Sequence, residues 1–370
     1  MGIFASASAD ARGRPAQFGR CSRRELAERI RGSYEGWSST KLPIAYADAY
    51  NIGFLGLERF HPFDSRKFGK VVNNLDASGI LNPDQLVQPP EATQQVLRDV
   101  HSEEYLLSIN TSSSKMAEIT EIAAIGFLPN SVVQHRLNRP MRIHVGGTML
   151  AVGMAMEWGW AINLGGGMHH ASVDNGGGWC VYDDWTLALR KLRRETGNVV
   201  QKAMLIDLDV HQGNGHARTK LHFGDKDLYI LDLYNADLWP WDTTAKAAIN
   251  CELPMKSGTG DEEYLSMLSK GLHTAFQEFA PDIILYNAGT DILRGDPLGR
   301  CSVSAEAVAK RDEMVFQAAY DAGVPICMAL SGGYAKDSAG VISECIKHII
   351  QKFGLIEPSR KIRHPTGALL

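Results

Sequence analysis

Residues 203–216 read AMLIDLDVHQGNGH. The stretch opens as an unbroken apolar run and closes on acids, histidines and glycines. A continuous run, without polar alternation, is what a strand buried on both faces requires. It predicts a strand over Ala203–Val210. Runs of the same texture recur at Pro43–Ala47, Ala161–Leu164, Asp227–Leu233, Asp282–Asn287 and Val324–Leu330. Helical patterns lie between them. Thr259 and Glu262 have capping-box spacing, and Leu265, Leu268, Leu272, Phe276 and Phe279 follow at helical intervals. Ser304 to Ala322 reads as a further helix, stopped by Gly323 and Pro325. Such alternation predicts one three-layer α/β/α domain around a mostly parallel central sheet.

That domain is expected over residues 42–356 of the 370-residue chain, with no internal repeat and no linker. Residues 1–41 read as an extension, with one helix predicted from Ser22 to Arg31. Its start, MGIFASASADARGRPAQFGRCSRR, lacks an apolar signal core. It is rich in Ala, Ser and Arg, as organellar transit peptides are. Gly2 with Ser6 matches the loose N-myristoylation pattern, and a plain tail is the simplest expectation. Residues 357–370 form a polar, basic tail. The net charge is −4, which argues against a chain-wide surface for nucleic acid. No apolar run of roughly eighteen residues predicts a transmembrane span. The six scattered cysteines, Cys21, Cys180, Cys251, Cys301, Cys327 and Cys345, read as free thiols in a reducing compartment.

Four segments fall just beyond predicted strand ends: GGGMHHASVDNGGGWC (165–180), DLDVHQGNGH (207–216), NAGTDILRGDPLG (287–299) and SGGYAK (331–336). Ligands of open parallel sheets bind at that edge. Asp207, Asp209 and His211 share parity along a strand and begin on one face. An acid and an imidazole at this spacing suit a zinc ion, with Asp291 available as a third ligand. Two Asp and one His leave coordination positions open, as a catalytic site does. His169 and His170 stand in tandem after three glycines. Tyr334, after a tight turn, could donate a hydrogen bond to a developing oxyanion. Each alone has a plainer reading: a polar surface loop, a buried structural histidine, a packed tyrosine. There is no GK[ST], so a P-loop is unsupported.

Taken together, these segments resemble the zinc-dependent histone deacetylases of the arginase/deacetylase fold, and within them the class IV branch. LERFHPFDSRKFGKV (57–71), VHSEEYL (100–106), FLPN (127–130), GWAINLGGGMHH (159–170) and YNAGTDIL (286–293) extend the likeness across about residues 42–356. The resemblance implies a lysine deacylase holding one zinc ion through Asp209, His211 and Asp291. It implies His170 as general base, His169 as its electrostatic support, and Tyr334 as the group polarising the substrate carbonyl. Asp207 matches the carboxylate that orients His169, and its backbone helps form a potassium site in relatives. Gly178 and Trp179 match one wall of the acyl-lysine tunnel and Trp239 the opposite wall. Relatives usually carry Phe or Tyr there, so two indoles would reshape the channel.

The sequence also departs from the class I pattern. Asn214 replaces the second Asp, the partner of the base histidine, as it does in classes II and IV. SGGY is one glycine shorter than the class I run, and Asp232 stands where class I and II carry Ser at the potassium site. Class IV relatives favour long fatty acyl chains over acetyl, which the resemblance extends to this chain. It implies acyl-lysine protein substrates, histones among them, a chromatin-regulating role, corepressor partners, and a nuclear or cytoplasmic location. An acetylpolyamine or other small-molecule deacylase would use the same residues. An arginase-like site would need further acidic ligands, for which Asn214 is a poor substitute. A non-catalytic corepressor scaffold would have lost at least one chemical residue, and none is altered.

Overall fold

A computed structural model describes residues 41–53, 56, 58 and 61–356. The helix expected at Ser22–Arg31, Cys21, and the basic tail lie outside them. Seven strands form one sheet in the order β1-β2-β7-β6-β3-β4-β5: β1 (Ile44–Ala45), β2 (Trp160–Asn163), β3 (Ala203–Asp207), β4 (Leu228–Asn235), β5 (Cys251–Met255), β6 (Ile283–Asn287) and β7 (Ile326–Ala329). Every pairing is parallel. Every residue of β1–β4, β6 and β7 is buried, which explains their continuous apolar runs.

Alternate residues feed opposite faces. Ala203 and Leu205 join one core, Met204 and Ile206 the other. Fully burying one such Leu or Ile contributes about 2 kcal/mol. Helices α4 (Arg139–Trp158) and α5 (Asp184–Glu195) cover the first face. Helices α1 (Lys67–Ala77), α7 (Asp261–Glu278), α8 (Ala305–Ala322) and α9 (Ser338–Phe353) cover the second. Shorter α2 (Glu103–Thr111) and α3 (Ser113–Thr120) precede α4, and α6 (Asn214–Phe223) follows β3. No helix among the described residues is long and apolar enough to cross a membrane.

The topology places the site. From β3 the chain steps outward to β4 and β5, whereas from β6 it steps the other way, to β7. The loops after β3 and β6 therefore diverge at a switch point and leave a crevice between them.

Three expectations need correcting. Strand β3 ends at Asp207, not Val210, so Asp209 and His211 are not held on one face by strand parity. Instead each acid caps the backbone two residues on: Asp207 Oδ1 accepts from Asp209 N at 3.2 Å, and Asp209 Oδ1 from His211 N at 3.1 Å. These are successive Asx-type turns. The N-cap of α7 is Gly260 rather than Thr259, with no side-chain cap, and Phe279 lies just past its end. Strand β5 was not foreseen, because it is an edge strand with only its terminal residues buried. Ser304 does cap α8, accepting from Ala307 N, and Gly323 closes it at φ +65°.

Candidate metal centre and active site

Asp209, His211 and Asp291 meet in the crevice, each offering a ligand atom within 4.8 Å of the others, and all three are buried. His211 Nδ1 lies 3.2 Å from both Asp209 Oδ1 and Asp291 Oδ2. The second oxygens are already engaged. Ser331 Oγ and Gly332 N donate to Asp209 Oδ2 at 3.0 and 2.9 Å, and Val210 N donates to Asp291 Oδ1 at 2.9 Å. Gly332 permits this approach, since a Cβ there would come within 2.4 Å of Asp209 Oδ2 and 2.6 Å of Asp291 Oδ2.

The donor set fits a divalent cation such as zinc. Burial and the neighbouring Asp209 push the Asp291 carboxyl up. Burial opposes charge on His211, but its bonds to both acids push it up to about 10. Two carboxylates in a buried cluster thus call for positive charge, and two oxygens with one imidazole nitrogen are ordinary zinc ligands.

Above the cluster stand the tandem histidines, with rings 4.0 Å apart. The Gly165–Gly167 turn delivers them. Gly167, at φ +78°, has no room for a Cβ, which would meet Asn287 Oδ1 at 2.3 Å. His169 Nδ1 lies 3.0 Å from Asp207 Oδ2, and its Nε2 lies 3.4 Å from Asp209 Oδ1. Burial works against its charge, but Asp209 and Asp207 outweigh it and push its pKa up to about 9. His170 is the opposite case. Burial, then the charges of His169 and His211, hold it well below the ordinary histidine value. Its Nδ1 lies 2.8 Å from Asn214 Oδ1. Their surroundings thus push the two imidazoles in opposite directions.

Tyr334 closes the ring of groups, edge-on to His211 at 6.1 Å between centroids. Its backbone and that of Ala335 donate to Asp296 Oδ2 at 2.6 and 2.9 Å. Burial, then Asp209 and Asp291, keep its phenol well above 10, so it remains a donor. Behind it lies Lys67, a residue not picked out in the sequence. Its buried Nζ donates to the carbonyls of Ser331 and Gly332 at 2.6 and 2.7 Å and clamps the turn that grips Asp209. Asn287 Nδ2 similarly donates to Asp207 Oδ1 at 2.8 Å and Ser331 Oγ at 3.0 Å.

Two spaces flank the cluster. An outer pocket of about 290 Å³ is bounded by His170, Gly178, His211, Trp239, Trp241 and Tyr334. Gly178 lies between His170 and Trp239, and the Trp239 ring stands 4.6 Å from His170. An inner cavity of about 50 Å³ lies against Asp209 and Gly332 and is walled by Ile52, Phe63, Phe68, Met141, Met168 and Trp179. Trp179, expected opposite Trp239 in one tunnel, packs on Phe63 at 5.1 Å and walls this inner space. Asp232, paired across from Asp207 in the β3/β4 register, is fully buried. It accepts from Gly213 N at 3.0 Å, while Oδ1 and both nitrogens of the nearby His216 have no hydrogen-bond partner.

Comparisons with known proteins bear on the family and the fold. The family model for the histone deacetylase domain matches residues 61–352. "Histone deacetylase 2" of Arabidopsis thaliana is 43% identical over 323 residues, covering 86% of this chain and 81% of that protein. A "Probable deacetylase" of Methanothermobacter thermautotrophicus is 32% identical over 209 residues, 54% of this chain and 61% of its own. Among solved structures, a crystal structure of the HDA15 HD domain superposes with a TM-score of 0.66 at 20% identity, covering 85% of this chain and 89% of that one. That likeness carries the fold; the sequence matches carry the family. With the crevice at the switch point, the tandem histidines and the tyrosine in place, the chain belongs to the histone deacetylase family, the lysine-deacylating hydrolases.

Proposed function

We propose that residues 42–356 form a zinc-dependent lysine deacylase of the class IV branch, flanked by the extension 1–41 and the tail 357–370. One zinc ion would be held by Asp209, His211 and Asp291. When bound, it supplies Lewis-acid polarisation and a lowered water pKa. The observation that carries the reading is the convergence of Asp209, His211 and Asp291, with ligand atoms within 4.8 Å of one another, beside the tandem His169 and His170 rings 4.0 Å apart. Their surroundings push the two imidazoles in opposite directions, and titratable neighbours pushed apart can divide acid–base work between them.

His170, neutral, takes the proton of the attacking water through Nε2 and returns it to the departing lysine amine. Tyr334 donates to the carbonyl oxygen as negative charge gathers there. His169, its charge held by Asp207 and Asp209, adds positive potential at the same place. Gly178 and Trp239 flank the lysine methylenes at the mouth. Asn214 orients His170.

The inner cavity receives the acyl group, with Trp179 in its wall. Its apolar lining supports fatty acyl chains, and the flexible Met141 and Met168 can yield to a chain longer than the cavity now accommodates. A potassium ion is proposed beside Asp207 and Asp232, supported by the buried Asp232 Oδ1 that lacks a hydrogen-bond partner. Acylated proteins, histones included, are the proposed substrates, without direct nucleic-acid contact. Corepressor proteins are the proposed partners, and nucleus or cytoplasm the location; residues 1–41 would direct any organellar targeting.

The test is turnover of acyl-lysine peptides from acetyl to myristoyl by the zinc-loaded protein, with acetylpolyamine as a competing substrate. We expect hydroxamate-sensitive turnover that rises with chain length. Strict acetyl preference would refute the fatty-acyl reading; preference for acetylpolyamine would move the substrate to small molecules.

A further inference from the structure

Asn214 stands between His170 and a carboxylate that no sequence pattern singled out. Its Oδ1 faces His170 Nδ1 at 2.8 Å, and its Nδ2 donates to Asp242 Oδ2 at 3.3 Å. Asp242 is buried, and its other side-chain partners are all donors: Arg218 through Nε and through Nη2 at 2.9 Å, and Ala245 N at 3.0 Å. Its backbone is also tied. Gln212 accepts from Asp242 N and donates to Asp242 O, both at 3.0 Å. Burial pushes the Asp242 carboxyl up, but Arg218 and the amide donors outweigh it and hold it below the usual range.

An ionised carboxylate can only accept hydrogen bonds. Asp242 therefore demands the NH2 end of the Asn214 amide, which turns the amide oxygen toward the imidazole. That oxygen too can only accept. His170 must then carry its proton on Nδ1, which leaves Nε2 with a lone pair. The polarity of the chain is set at its acidic end.

We propose that Asp242 is a positioning residue for deacylation: acting through Asn214, it selects the Nδ1–H tautomer of His170 and so presents Nε2 as the base. The inference rests on the reading of His170 as general base. Asp242 also ends the loop that carries Trp239 and Trp241, and the Trp239 ring stands 4.6 Å from His170. One side chain thus ties the base to the wall of the mouth.

The test is a charge swap. In Asp242→Asn, Arg218 claims the oxygen of the introduced amide. Its NH2 then faces Asn214, whose amide turns over and offers NH2 to His170. The proton moves to Nε2, and kcat falls on the order of 10²-fold with KM little changed. Adding Asn214→Asp supplies an acceptor for both neighbours, the His170 Nδ1–H and the introduced amide. The double variant should recover to within about tenfold of the starting kcat. A merely structural role for Asp242 predicts no such rescue. The second readout needs no turnover: 15N shifts of His170 in histidine-labelled, zinc-loaded protein, assigned against His170→Ala. We expect Nδ1–H in the parent and double variant and Nε2–H in Asp242→Asn. Undiminished kcat in Asp242→Asn, a double variant no faster than the single, or Nε2–H in the parent would each overturn the proposal. Should the parent turn over no acyl-lysine peptide, the reading of the base falls, and the nitrogen shifts still decide the role of Asp242.

Discussion

The floor of the pocket and its mouth are built in opposite ways. At the floor every group answers to several others. Asp209 is gripped by Ser331, Gly332 and the backbone of His211, and Lys67 in turn holds the carbonyls of Ser331 and Gly332. At the mouth, Trp239 is 42% and Trp241 64% exposed. On the proposed function, chemistry would belong to the loops tied to the sheet and recognition to the exposed rings at the mouth. Changes at the floor should therefore cost turnover, and changes at the mouth should cost selectivity.

Tyr334 lies on the boundary and gives the largest contrast. Tyr334→Phe removes one donor and keeps the ring packed against Phe63 and His211. We expect kcat to fall about 10²- to 10³-fold with zinc content unchanged. A variant with undiminished turnover would place the tyrosine with the mouth instead. Trp241→Ala is the smaller effect. Its ring touches the pocket only from the rim, so KM for a peptide substrate should rise within about tenfold, as expected for a lost near-neutral or modest contact, while kcat holds. A large loss of kcat there would erase the distinction between floor and mouth.

Much of the floor was legible in the sequence. The apolar run into DLDVHQGNGH marks both a buried strand and the acid and histidine that meet Asp291 beyond it, and the tandem histidines follow three glycines. Strand parity does not account for the placement of Asp209 and His211: β3 ends at Asp207, and Asx-type turns carry the chain on through Asp209 to His211. Strand β5 escaped notice because its middle residues are not fully buried, so no continuous run marks it. Lys67 and Asp242 were illegible for another reason. Lys67 reaches carbonyls 264 and 265 residues away, and Asp242 reaches an amide 28 residues away. Only the folded crossing of separate loops gives either residue a meaning. Trp179 and Trp239 look equivalent as bulky residues in the sequence, yet one is buried beside the inner cavity and the other half exposed at the mouth.

The most direct test of the account is the metal itself. Anomalous diffraction at the zinc edge from zinc-loaded crystals should give one peak about 2.0–2.2 Å from an oxygen of Asp209, an oxygen of Asp291 and His211 Nδ1. The same experiment on Asp291→Ala should show the peak lost or strongly weakened. A peak seated elsewhere, or full zinc occupancy without Asp291, would contradict the claim that these three side chains are the metal centre.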